Sequence, residues 1–241
     1  MTAVALVTGA SRGLGAVIAR RLAADGLAVA VNYNRDAAGA TRVVDEIRAA
    51  GGTAEAFAAD ITHEPDVSSL VAATTERLGP VHVLVANATG PQPYIALEDL
   101  TWQAQLDQLE FFVKSPTLLV QAVLPGMKEH GGGRVIQIGS DVVDRKLPSM
   151  SAYIAAKSAQ HAMTEVWARE LGPHGITVNV VAPGWIPVER HAGLDESGYL
   201  AEVPLGRMGT PDDVAAAVSF LASEGGAFVT GQRITVNGGH T

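Results

Sequence analysis

Ser140, Tyr153 and Lys157 are the residues whose types and spacing point to chemistry in this chain. The tyrosine follows the serine by thirteen positions, and the lysine follows the tyrosine by four. Residues four apart on a helix share one face, so the phenol of Tyr153 and the ammonium of Lys157 can point the same way. A cation beside a phenol favours the phenolate. A free tyrosine titrates near ~10, so acid–base work near neutrality requires lowering it by about 3 pH units, or roughly 4 kcal/mol. One close cation together with helix charges supplies an effect of that size. The triplet therefore predicts proton transfer and requires a reaction partner.

The stretch Thr8-Gly9-Ala10-Ser11-Arg12-Gly13-Leu14-Gly15 suggests one. A short apolar run precedes it and a helical pattern follows, which is the setting a dinucleotide loop needs. Gly9 permits a tight turn, Gly13 lets backbone approach a phosphate, and Gly15 lets helix and strand pack closely. The N-terminus of the helix favours the pyrophosphate. The spacing is G-x-x-x-G-x-G rather than the commoner G-x-G-x-x-G. The end of the second strand discriminates between dinucleotides, because a carboxylate there binds a ribose 2′-hydroxyl. Here it reads Asn32-Tyr33-Asn34-Arg35, with no acid before Asp36. Arg12 and Arg35 are two cations without an acid and suit a 2′-phosphate, so NADP(H) is expected in preference to NAD(H).

The elements that must position these residues alternate along the whole chain. Strands are predicted at Val4 to Thr8, Ala28 to Asn32, before Asp60, Val81 to Ala86, Arg134 to Ile138, Thr177 to Val181 and Arg233 to Val236. Helices are predicted between them, including Glu64 to Leu78, Ser151 to Leu171 and one starting at Thr210-Pro211-Asp212-Asp213. A long helical region from about Glu98 to Lys128 contains Pro116, which should kink or break it. Strand–helix alternation predicts an α/β fold, a Rossmann-type doubly wound parallel sheet, in one domain over residues 1–241.

Composition narrows the partners. The chain has 241 residues, is 47% hydrophobic and 17% charged, and has a net charge of −8. That acidity argues against nucleic acid or an anionic membrane as the main partner. With no cysteine, disulfides and thiol chemistry are excluded, and a cytoplasmic enzyme is expected. The start, MTAVALVTGAS, has no basic segment and does not read as a signal peptide. No apolar run approaches the ~20 residues of a membrane span. The histidines lack metal-ligand spacing, so no metal site is expected.

Jointly these residues resemble the short-chain dehydrogenase/reductase family. TGASRGLG is similar to its cofactor loop, which adds Ser11 and Leu14 to the cofactor contacts. Asp60-Ile61 resembles its adenine-contacting pair, and Asn34 and Arg35 lie on the same side. Ser140, Tyr153 and Lys157 resemble its catalytic residues. Ala182-Pro183-Gly184, with Ile186 after it, resembles the segment beside the nicotinamide. VPLGRMGTPDDVAAAVSFLAS and TGQRITVNGG are similar to the β-ketoacyl carrier-protein reductase branch. The resemblance implies hydride transfer between nicotinamide and a carbonyl or secondary alcohol, of a carrier-bound thioester or a small ketone. Tyr153 would give the proton, Ser140 would hydrogen-bond the oxygen, and Lys157 would lower the Tyr153 pKa and bind ribose. A homotetramer is implied too, consistent with an almost wholly apolar helix around Tyr153.

Three departures stand out. Asn87-Ala88-Thr89 occupies the N-N-A-G cofactor segment, with Thr89 in place of glycine. Phe112 occupies the position of a helix asparagine that, in the family, holds a water bonded to the lysine. Phenylalanine has no donor or acceptor, so two alternatives are open: Gln108 or Ser115, one turn to either side, takes over, or Tyr153 reprotonates directly from solvent. Val188 stands where the family often has threonine, at the start of a substrate lid over 185–205. Arg190 and His191 of that lid could attract an anionic substrate. Two other readings stay open: a non-catalytic NADP(H)-binding regulatory protein, and a same-fold epimerase or dehydratase that retains its cofactor.

Overall fold

The computed structural model describes residues 2–240, and for Arg190 its backbone only. The strands are β1 (Val4–Val7), β2 (Ala28–Tyr33), β3 (Thr53–Ala58), β4 (Val81–Ala86), β5 (Gly133–Ile138), β6 (Ile176–Pro183) and β7 (Arg233–Val236). They form one parallel sheet in the order β3-β2-β1-β4-β5-β6-β7. The order reverses direction between β1 and β4, so a crevice opens at their carboxyl ends.

The strands are apolar on both faces because helices cover both. Ala5 and Val7 of β1 join one core with Ile18 and Leu22 of α1 (Gly13–Ala24), Val43 and Ile47 of α2 (Ala37–Ala49), and Val214 and Val218 of α9 (Pro211–Ala222). Leu6, between them, faces the opposite core with Leu70 of α3 (Glu64–Arg77), Leu119 and Val123 of α5 (Ser115–Glu129), and Leu171 of α7 (Ser151–Leu171). Side chains that alternate along a strand thus serve two layers.

Most predicted elements appear within a residue or two, and β4, β7 and α7 have the predicted bounds. The Thr210 start is a full capping box: the Asp213 amide donates to Thr210 Oγ1, and the Thr210 amide donates to the Asp213 carboxylate.

The region from Glu98 to Lys128 breaks, but before the proline. It consists of α4 (Trp102–Leu109), a π turn over Glu110–Lys114, and α5. Pro116 has no amide to give to the Phe112 carbonyl, and its ring crowds the preceding turn. Side-chain hydroxyls satisfy the neighbouring carbonyls, with Ser115 Oγ donating to Phe111 O (2.8 Å) and Thr117 Oγ1 to Val113 O (2.7 Å). Two four-residue helices complete the chain, α6 (Val142–Arg145) and α8 (Ser197–Leu200).

Candidate active site

The predicted site residues all lie at the carboxyl edge of the sheet. Gly9 to Gly15 follow β1, Asn34 and Arg35 follow β2, Asp60 and Ile61 follow β3, and Asn87 to Thr89 follow β4. Ser140 lies two residues beyond β5, Pro183 ends β6, and Gly184 and Ile186 come next.

The glycine loop is tied to both neighbouring strands. The Asn87 side-chain amide donates to Thr8 O (2.9 Å) and Gly9 O (3.3 Å), and the Asn87 and Ala88 amides donate to Thr8 Oγ1. From β2, Asn32 Oδ1 accepts from the Gly9 amide, and its NH₂ spans to the Phe57 and Ala59 carbonyls. Gly9 sits at φ +61, where a Cβ would press on Ala88. A Cβ on Gly15 would collide with the Gly9 carbonyl and the Asn87 amide. Arg12, at the N-cap of α1, offers no side-chain cap, and no acid lies in the first turn. The first amides of α1 therefore remain for an anion. A glycine cradle that Cβ atoms would fill, ending at an uncapped helix, fits a dinucleotide pyrophosphate. Gly15→Ala is expected to raise the Kd for NADPH at least about tenfold and to cost roughly 1–3 kcal/mol of stability. NADPH fluorescence titration and a thermal melt measure both, and wild-type affinity in a folded variant would contradict the cradle.

At the second and third strand ends, Asn34 Nδ2 donates to Asp60 Oδ2 (3.1 Å), so these two predicted contacts meet. Asp60 also accepts from the Thr62 amide and hydroxyl, which hold its carboxyl below the usual range. Asp36 caps α2, accepting from the Gly39 amide (2.9 Å), and is committed there. Arg12 and Arg35 are exposed, and among the described residues neither has an ion-pair partner. Val188 and Glu189 approach the glycine loop: a Cβ on Gly13 would lie 3.6 Å from Glu189 Oε2 and 3.8 Å from Val188.

Tyr153 and Lys157 lie one turn apart on the inner face of α7, both almost fully buried. The Lys157 ammonium donates to Ile138 O (2.7 Å), at the end of β5, and to Gln160 Oε1 (3.1 Å). It sits 3.9 Å from the centre of the Phe112 ring, which meets Tyr153 edge-on at 5.3 Å. No carboxylate among the described residues pairs with Lys157, and burial pushes it down to about 7. Ser140 Oγ accepts from the Val142 amide (3.2 Å), which leaves its proton for another acceptor.

The expected substitutes for the family asparagine behave otherwise. Gln108 Nε2 donates to Pro91 O (3.0 Å), and Ser115 is bonded within its own turn, although it lines a cavity of about 10 Å³ with Phe112, Lys157 and Gln160. The lysine's partner is instead Gln160, three residues on in α7. Thr89 bonds only its own loop, accepting from Gln92 Nε2 (2.9 Å). The Arg190 side chain lies outside the described residues, while His191 Nδ1 accepts from the Val188 amide (3.2 Å) and packs edge-on against Trp185.

Sequence reasoning missed a second polar cluster, built around the buried Asp141 and His240 next to Ser140. Tyr199 OH accepts from the Trp185 amide (2.9 Å), and the Tyr199 ring stacks on His240 and lies under Arg145. His240 Nε2 pairs with Glu202 (2.9 Å), and Asn237 Nδ2 donates to Asp141, whose carboxyl burial pushes up. Long-range contacts of this kind leave no spacing signal.

A family model described as enoyl-(acyl carrier protein) reductase matches residues 9–241. An uncharacterised oxidoreductase of Methylorubrum extorquens is 42% identical, covering 98% of this chain and 96% of its own. The 3-oxoacyl-[acyl-carrier-protein] reductase of Synechocystis is 38% identical over 98% and 96%. A blue fluorescent protein from a metagenomic library, solved with NADPH, has a TM-score of 0.92 at 38% identity, covering 99% of this chain and 98% of that one. A 7α-hydroxysteroid dehydrogenase, solved with NADH and 7-oxo glycochenodeoxycholic acid, has a TM-score of 0.94 at 35% identity, covering 99% and 94%.

Proposed function

The chain belongs to the short-chain dehydrogenase/reductase family, and on that premise we propose that it is an NADP(H)-dependent oxidoreductase acting on a carbonyl or secondary alcohol, with 3-oxoacyl thioesters and small ketones as the substrate classes. The reading rests on Lys157, a buried cation with which no carboxylate among the described residues pairs, held one helical turn from Tyr153 on α7. Structures buy such a charge only where it does something, since an unpaired buried ammonium is costly.

When bound, the nicotinamide supplies or accepts the hydride. The chain's residues handle the rest. Tyr153 would give its O–H proton to the carbonyl oxygen during reduction and take it back from the alcohol in the reverse direction. Lys157 lowers the cost of the phenolate left behind and offers its remaining N–H to the ribose. Ser140 donates to the same carbonyl oxygen. Gly9 to Gly15 and the start of α1 would hold the pyrophosphate, and Asn87, Ala88, Thr89, Pro183, Gly184 and Ile186 would flank the nicotinamide half. Asn34, Asp60 and Ile61 form the adenine side, and the segment 185–205 closes over the substrate.

Arg12 and Arg35, exposed and unpaired, with Asp36 occupied as a cap, support NADP(H) over NAD(H). A charge-assisted hydrogen bond contributes roughly 1.5–3 kcal/mol. Arg12→Ala/Arg35→Ala should thus raise KM for NADPH at least about tenfold while moving KM for NADH less than about threefold. Equal effects on both would overturn the preference.

Among the described residues no helix is long and apolar enough to cross a membrane. We place the enzyme in the cytoplasm as a homotetramer. The outer face of α7, with Ala155, Ala162 and Val166 exposed, and the exposed Trp102 and Leu106 of α4 suit a subunit interface. The substrate test is NADPH oxidation with β-ketoacyl thioesters, small ketones and sugars. Turnover of none of them, with NADPH bound, would favour the regulatory reading.

A further inference from the structure

We propose that Gln160 is the positioning residue of the catalytic lysine, taking over through a direct hydrogen bond the support that a water-holding asparagine would give. This rests on the proposed role of Lys157. Three observations converge. Gln160 is buried, and its Oε1 accepts from Lys157 Nζ at 3.1 Å. The ammonium also meets the Phe112 ring at 3.9 Å, and that ring has no hydroxyl or amide with which to donate or accept. The cavity shared by Phe112, Ser115, Lys157 and Gln160 measures about 10 Å³, at the lower limit for one water and too small for a chain of them.

The turn of α7 that carries Gln160 is tied to β5 through its backbone carbonyl. Thr164 Oγ1 donates to Gln160 O (3.0 Å), and Gln137 Nε2 of β5 donates to Thr164 Oγ1 (2.7 Å). Glutamine, threonine and glutamine are fully buried at these positions, where an ordinary core would place aliphatic side chains.

The groups facing Lys157 are few. From α7 they are Tyr153 and His161, the latter kept neutral because burial pushes it down to about 4. From β5 it is the Ile138 carbonyl, and from the π turn it is Phe112. Beyond His161 lie Arg233 and Asp144, which pair with each other. Gln160 Oε1 accepts directly from the ammonium and so favours the charged lysine.

The test compares Gln160→Met, which keeps length and loses the acceptor, with Gln160→Glu, which keeps an acceptor oxygen. The first readout is the titration of the Lys157 amine in the cofactor-free protein by nitrogen NMR, assigned with Lys157→Met. Gln160→Met is expected to move it down by about one pH unit, and Gln160→Glu to move it up. The second is the Kd for NADPH by fluorescence, expected to rise about fivefold to tenfold in Gln160→Met and to recover in Gln160→Glu. An unmoved lysine titration in either folded variant overturns the proposal, and Gln160→Glu serves if Gln160→Met does not fold. Because the titration needs neither cofactor nor substrate, it stands even if no carbonyl is turned over and the proposed function fails.

Discussion

Tyr153→Phe is expected to lower kcat for NADPH-dependent carbonyl reduction by about 10²–10⁴-fold, leaving the Kd for NADPH within about threefold. The substitution removes one oxygen and little else. Tyr153 is 7% exposed, and its ring packs edge-on against Phe112 at 5.3 Å. Phenylalanine fills the same volume in the same rotamer, so stability should change only by the hydroxyl's own interactions, about 0.5–1.5 kcal/mol. The loss then falls on the proton that must reach the carbonyl oxygen. Ser140 cannot replace it, because a serine hydroxyl that gives up a proton leaves an alkoxide with no cation placed beside it. Lys157 is already committed to Ile138 O and Gln160 Oε1, and its part is to stabilise the phenolate. Single-turnover NADPH absorbance, with a thermal melt as control, separates the outcomes. Wild-type turnover in the folded variant would remove Tyr153 from the mechanism, and weakened NADPH binding alone would make it a binding residue.

The sheet was largely legible because its signals are local. Strands buried on both faces read as apolar runs, and the Thr210 box announces α9 through a cap, a proline and an acid within four residues. The placement of the site was legible for a related reason. A parallel sheet brings every strand's carboxyl end to one edge, so residues far apart in sequence must meet there. What sequence did not reveal are choices made between elements. Asp36 follows the second strand closely enough to serve a ribose, yet it caps α2. Pro116 announced a break, but the π turn falls ahead of it because the proline's missing amide is felt four residues back. Gln108 and Ser115 were reasonable substitutes for an asparagine on a regular helix. The π turn changes which faces they present, and the partner came from α7. The Tyr199–His240–Asp141 group joins the short helix α8 to two segments far from it in sequence, with no shared periodicity.

Lys157→Met should lower kcat by about 10²–10⁴-fold and, at pH 6, make the cofactor-free protein more stable. The activity loss follows from removing the charge that makes the Tyr153 phenolate accessible, together with one ribose contact. The stability gain follows from linkage. Burial pushes the folded lysine down to about 7 from an ordinary value of 10.5. Between those values the unfolded chain binds more protons than the folded one, so stability rises with pH across that window. Below about pH 7 the lysine is charged in both states, and the full penalty of burying it is present. The gap corresponds to at most roughly 5 kcal/mol. Methionine has no charge to bury, but it abandons the Ile138 carbonyl and Gln160 Oε1, at about 1–3 kcal/mol together. A net gain of about 2 kcal/mol at pH 6 is expected, falling toward zero or below by pH 10, where the wild-type lysine is neutral. Urea unfolding of both proteins at the two pH values measures it. A wild type that is the more stable at pH 6 would mean that the folded protein solvates the ammonium well, and the buried cation would lose its standing as evidence for function. A variant that is stabilised and inactive would show the fold retaining, beside Tyr153, a charge that its own stability opposes.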